Sequence, residues 1–196
     1  QEVTVAVSEA QPRLIGTPIQ VANTISYKVA PGYGVDGHDL LCRTTTAESG
    51  GHFFALDLAT GELRTHPLNH LEAYPITPAS DGMIYVGSTT GQIMRYDPKT
   101  DGWSPLAQAF SGRGLYHVRC MTEGKDGWLY VGSCYGDRAR CRMSDGAVEM
   151  LPPIAEAGSW YVSSCATLPD GRILFGLGHQ CRMICYDPTQ GRDVGQ

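Results

Sequence analysis

His117, Arg119 and Tyr161 are the residues whose types and spacing best suit a reaction. An Arg neutralises a substrate carboxylate and acidifies the neighbouring carbon, a His removes the proton, and a Tyr hydroxyl protonates a leaving oxygen. Together these roles make a β-elimination beside a uronic carboxylate, in which a glycosidic C4–O bond breaks and a C4–C5 double bond forms. The grouping rests on counting back from four Asp-Gly pairs. Nine residues before each Asp lie Tyr27, Glu72, His117 and Tyr161, and seven before lie Val29, Tyr74, Arg119 and Ser163. Positions two apart on a strand share a face, and the intervening Lys28, Ala73, Val118 and Val162 are mostly small or apolar. His52, Tyr135, Asp137, Arg138 and His179 fall in hairpin loops expected at the same end. The expected catalytic set is therefore His117, Arg119 and Tyr161. Tyr27, Glu72, Tyr74, Tyr135, Arg138, His52 and His179 are the expected substrate contacts. The same residue types suit a non-catalytic ligand-binding or assembly module, or the plain lining of a channel.

The elements that must hold these side chains repeat along the chain. The pairs begin at Asp36, Asp81, Asp126 and Asp170, so the intervals are 45, 45 and 44 residues. Gly supplies the positive φ of a tight hairpin, and Asp caps the turn through the backbone. A short apolar strand follows each pair, as in Met83-Ile84-Tyr85-Val86-Gly87-Ser88 and Trp128-Leu129-Tyr130-Val131-Gly132-Ser133. A second turn signature comes later, as in Tyr96-Asp97-Pro98 and Tyr186-Asp187-Pro188; the third repeat has only the degenerate Met143-Ser144-Asp145-Gly146. Strand-like segments at 25–29, 71–76, 116–121 and 160–165 precede the pairs. Each unit thus predicts four antiparallel strands, a to d, in repeats of approximately 25–70, 71–114, 115–158 and 159–196, forming a single all-β domain.

The stretch DGMIYVGSTTGQIMRYDPKTDGW resembles blades of the quinoprotein-like, streptogramin-lyase-like and gluconolactonase-like β-propellers. The resemblance spans residues 25–196 and is architectural; it implies a propeller without implying one activity. A looser similarity links the His, Tyr and Arg set to propeller polysaccharide lyases. Both a closed four-bladed ring and part of a larger propeller fit the repeats. In the first case the alternating residues 3–7 complete the outer edge of the last repeat; in the second, the raw edge drives self-association.

Composition narrows the partners. The chain has 15 basic and 20 acidic residues, for a net charge of −5, which disfavours nucleic acid. No apolar run reaches membrane-spanning length. The expected partner is an acidic polysaccharide or small ligand, met by a secreted or periplasmic protein. Seven Cys fit no compact disulfide scaffold. Thiols packed between sheets are the leading expectation, with one or two disulfides or a zinc site from His179 and inter-blade Cys as alternatives. No cofactor is expected beyond zinc or calcium in that minor reading. Arg138, Arg140 and Arg142 alternate on one strand as a solvated outer face or an anion-binding stripe.

Overall fold

The computed structural model describes residues 23–46, 51–68, 73–112, 116–154, 161–178 and 182–195, with only the backbone of 23–26, 46, 73 and 74. Four antiparallel four-stranded sheets follow one another in chain order. The first blade holds β1 (Asn23–Ala30), β2 (Leu40–Thr46), β3 (His52–Asp57) and β4 (Leu63–Pro67). The second holds β5 (Ala73–Pro78), β6 (Ile84–Ser88), β7 (Gln92–Asp97) and β8 (Gly102–Gln108). The third holds β9 (Val118–Glu123), β10 (Trp128–Ser133), β11 (Arg138–Arg142) and β12 (Val148–Met150). The fourth holds β13 (Val162–Thr167), β14 (Ile173–Leu177), β15 (Arg182–Asp187) and β16 (Arg192–Asp193). Besides strands, the described residues contain one 3-10 turn at Val35–Gly37. None of their helical structure is long and apolar enough to cross a membrane.

The expected turn chemistry is present. Gly37, Gly82, Gly127 and Gly171 all take positive φ, from 77° to 92°, the conformation that L side chains resist. Asp57, Asp97 and Asp187 accept backbone amide hydrogen bonds from residues two positions on, at 2.8–2.9 Å. These are the c–d turns read from the second signature. The outer position of the fourth sheet is held by β16, two residues long. Residues 3–7, which the closed-ring alternative assigns to this edge, lie outside the described residues.

The first strands of successive sheets pack side by side: β1 with β5, β5 with β9, and β9 with β13. They are the inner edge of the array. Three apolar cores sit between consecutive blades rather than inside any one sheet. The first joins Cys42, Phe53 and Ala55 to Ile84, Val86 and Tyr96. The second joins Tyr85 and Ile93 to Val118, Leu129 and Val131, and the third joins Tyr130 to Val162, Ile173 and Phe175. No comparable packing joins β13 back to β1 among the described residues. Threonine hydroxyls link the inner strands: Thr77 donates to the Met121 carbonyl at 3.1 Å, and Thr167 donates to the Glu123 carbonyl.

Candidate functional site

At the end of the array formed by the b–c hairpins and the d–a connections, backbone bonds tie the loops together. The Cys134 amide donates to the His117 carbonyl at 3.1 Å, and the Gly178 amide donates to the Tyr161 carbonyl at 2.9 Å. His117 and Tyr161 therefore occupy equivalent places, each at the entry to an inner strand. Just beyond His117, β9 carries a bulge: Val118 pairs with Ser133 and Cys120 with Gly132, leaving Arg119 as the extra residue. A bulge bends a strand and re-aims the unpaired side chain. The fourth blade repeats it between Val162 and Ser164, around Ser163.

This re-aiming brings two blades together. The Arg119 guanidinium lies 5.4 Å from the centre of the Tyr161 ring, within cation–π range. Both side chains are half-buried, as is His117. Beside them an aromatic run leads from the interior to the surface. Phe110 stacks on Tyr116 at 5.2 Å, and Tyr116 meets the exposed Tyr135 at 5.2 Å. The Tyr116 hydroxyl donates to the Asp137 carboxylate, so Tyr116 braces the loop that presents Tyr135. Tyr116 was not among the expected contacts. Its signal in the sequence is its place directly before His117, in the only repeat with a His in that column.

Several expected contacts fall elsewhere. Arg138 is 2% exposed. Its guanidinium donates to both Asp193 carboxylate oxygens at 2.8 and 2.9 Å and to the Pro152 carbonyl at 2.8 Å. With the Phe175 ring centre 5.2 Å away, it ties the third blade to the fourth and is not presented to a ligand. This also removes it from the Arg stripe; Arg140 and Arg142 instead pair with Glu149 and Asp145 and flank Trp128 at 4.4 and 4.8 Å.

Tyr27 is displaced for a different reason. It pairs with Arg43, seven residues after Asp36, whereas the residues pairing at that offset in the third and fourth blades are Val118 and Val162. The longer first turn, with its 3-10 segment, and a bulge placed near Thr24 shift the first blade by one residue. Tyr27 therefore stands 73% exposed on the flank of the first blade, outside the His117 column. His52 begins β3, two strands from the inner edge, with its ring 6.1 Å from Phe54 and its Nδ1 buried. Glu72 and His179 lie outside the described residues, and of Tyr74 only the backbone in β5 is described.

The described cysteines are free thiols: Cys42, Cys120, Cys134 and Cys141 are buried, and Cys165 and Cys185 are half-buried. Burial pushes the Cys42 thiol up to about 12 and the Cys141 thiol up to about 11. Hydrogen bonding of the Cys165 thiol to the neighbouring Cys120, then burial, holds Cys165 well above the ordinary thiol range. Such thiols are poor nucleophiles and poor metal ligands, since both roles need the thiolate. Cys181 and His179 lie outside the described residues.

At the opposite end of the array, a cleft of ≈ 920 Å³ opens between the second and third blades, lined by Trp103, Trp128, Arg95, Asp97, Asp126 and Arg142 among others. Trp103 stacks on Phe53 and His66 at 5.1 and 5.7 Å. Of its acidic lining, Asp81 and Asp97 accept backbone amides of their own turns at 3.0 and 2.9 Å, and Asp126 accepts from the Tyr130 hydroxyl at 2.7 Å.

The chain matches no family model and no curated protein sequence. Its similarity is to solved structures. The extracellular domain of a proposed one-component system from Bacteroides thetaiotaomicron aligns with a TM-score of 0.68 at 17% identity, over 94% of this chain and 23% of that one. An inactive His-to-Ala variant of virginiamycin B lyase from Staphylococcus aureus, solved with quinupristin, aligns at 0.69 and 15%, over 90% of this chain and 57% of the lyase. Two computationally designed proteins are similar as well. Ika4 aligns at 0.66 and 12% identity over 90% of this chain and 98% of its own, and Ika8 at 0.64 and 13% over 87% and 48%. The fold is a β-propeller array. The chain spans about a quarter of the first structure and a little over half of the lyase, and the streptogramin-lyase-like resemblance read from the blade motif holds at the level of fold.

Proposed function

We propose that this chain is an exported propeller domain that binds an acidic saccharide or similar carboxylate ligand where the third and fourth blades meet. The carrying observation is the Arg119 guanidinium placed 5.4 Å from the Tyr161 ring, across a blade boundary, by a bulge. A guanidinium beside an aromatic face suits a sugar that carries a carboxylate: the cation takes the carboxylate and the ring takes the apolar face of the pyranose. The exposed Tyr135 stands at the same end of the array, against Tyr116. Export is supported by neighbours that are extracellular domains of Bacteroides thetaiotaomicron proteins.

The same arrangement supports a β-elimination. Arg119 would hold the carboxylate and acidify C5, His117 would take the C5 proton, and Tyr161 would protonate the departing O4 as the C4–C5 double bond forms. That one structural neighbour is a lyase inactivated by loss of a His favours this reading. The test is titration of a panel of uronic-acid polymers, watched both for binding heat and for the ultraviolet absorbance of an unsaturated product. Arg119→Ala should weaken binding at least tenfold; unchanged affinity for a confirmed ligand would overturn the site. If product appears, His117→Ala should lower the rate by about 10²–10⁴ while affinity holds. Binding without product assigns the chain to the non-catalytic class.

A further inference from the structure

The blade boundaries inside the array show what a blade requires of its neighbour. Six residues after each repeat's Asp lies a glycine in the second, third and fourth blades: Gly87, Gly132 and Gly176. A Cβ at Gly87 would lie 2.6 Å from Val118 Cγ1, and one at Gly132 would lie 2.5 Å from Val162 Cγ1. These glycines are the seats on which the next blade's inner strand packs. At Gly176 the same atom would meet only atoms of Ser164, in its own blade. Among the described residues the seat holds no neighbouring blade. Around it Leu174 and Cys185 are half-buried, Ala166 is exposed, and Met183 is 60% exposed.

The first blade presents the complement. In register, the residue equivalent to Val118 and Val162 is Tyr27, paired with Arg43 at the same offset from its turn. Val118 and Val162 are completely buried, but Tyr27 is 73% exposed. On the same face Val29 is 44% and Leu63 37% exposed, with Leu41 and Leu56 half-buried; Phe54 and Thr45 of that face are buried. Among the described residues the array thus ends in an open glycine seat on one side and an exposed large side chain on the other. Two such ends on one molecule are complementary, and head-to-tail contacts of this kind close into a ring when the rotation allows.

We propose that the occupant is a second copy of this chain, joined twice, so that Tyr27 of each copy sits over Gly176 and beside Met183 of the other in an eight-bladed ring. An arc of this shape covers 98% of one designed propeller protein and 48% of another. It therefore spans nearly an entire chain in one case and about half of one in the other. This proposal is independent of the ligand reading.

The full chain should sediment at twice its 21.2 kDa mass and appear as a closed ring in negative-stain images. Met183→Asp and Tyr27→Asp, both at exposed positions, should each give monomers with an unchanged β-type circular dichroism spectrum. Thr189→Asp, in an exposed turn of the fourth blade, should leave the dimer intact. As a readout that does not depend on disrupting the dimer, Tyr27→Cys and Met183→Cys proteins mixed together should form an intermolecular disulfide, seen as a doubled mass on a non-reducing gel. A folded wild-type chain that stays monomeric across a concentration series overturns the proposal. So does growth past two copies, or a dimer that both charge substitutions leave intact and in which no cross-link forms.

Discussion

The third and fourth blades use the same turn and the same strand order, yet they are packed differently. In the third blade, β10 is buried on both faces, and Tyr130 reaches back to Asp126, donating at 2.7 Å. The second blade repeats this tie between Tyr85 and Asp81 at 2.6 Å. Burial, reinforced by the adjacent carboxylate, raises both phenols above their ordinary range. In the fourth blade the equivalent position is Leu174, only half-buried, and Asp170 pairs with Arg172 at the surface instead. The strand β14 is buried on one face alone. A blade's stability is therefore shared with its neighbours, as in other repeat arrays, and the fourth blade leans chiefly on the third.

The strongest way to break that dependence is at Arg138. Asp193→Ala would leave a fully buried guanidinium without its carboxylate, and should destabilise the domain by about 3–5 kcal/mol in urea unfolding. Glu149→Ala removes the partner of the more exposed Arg140, and should cost about 0–1 kcal/mol. If the two losses were equal, the tie between third and fourth blades would not be a main support.

A smaller effect compares the two glycine seats. Gly132→Ala forces a methyl against Val162 and the Cys120 sulfur, and overpacking of this kind costs about 1–3 kcal/mol. Gly176→Ala meets only the flexible Ser164 hydroxyl closely. It should cost less in chain stability and show its effect in the mass of the assembly. Chemical denaturation of the two variants at equal concentration separates these outcomes.

The smallest effect is on acid stability. Amide donation from Thr60, followed by the His38 hydrogen bond and other contacts working against burial, lowers Asp57 from 3.8 to about 2. A carboxylate lowered in the folded state contributes stability that is present above its unfolded value and lost as pH falls towards the folded one. The contribution should therefore fade between about pH 4 and pH 2, and Asp57→Asn should flatten the curve there. The third blade offers a control, since Arg142 stands where Asp57, Asp97 and Asp187 cap their turns. Substituting Arg142 should leave the slope in that window unchanged.

Much of this architecture was legible in the sequence because its determinants are local. The glycine of each a–b turn takes its positive φ from the turn itself, and strand alternation depends only on neighbours in the chain. Those two signals settled four repeats, sixteen strands and the hairpins between them. They also brought Arg119 and Tyr161 to adjacent inner strands. The errors came where counting crossed a feature without a local mark. A longer turn and a differently placed bulge moved Tyr27 out of the His117 column.

What tertiary structure alone decided is which neighbour each side chain meets. Nothing within β11 distinguishes Arg138, sealed against Asp193 from 55 residues away, from Arg140 and Arg142 beside solvent. The same holds for glycine: Gly132 and Gly176 occupy one column, and only the presence of a next blade makes the first a tight seat and the second an open one. Turn and strand are written in short-range sterics, whereas burial is a property of pairs of blades, and a repeat cannot specify from within itself whether its outer face will find a partner.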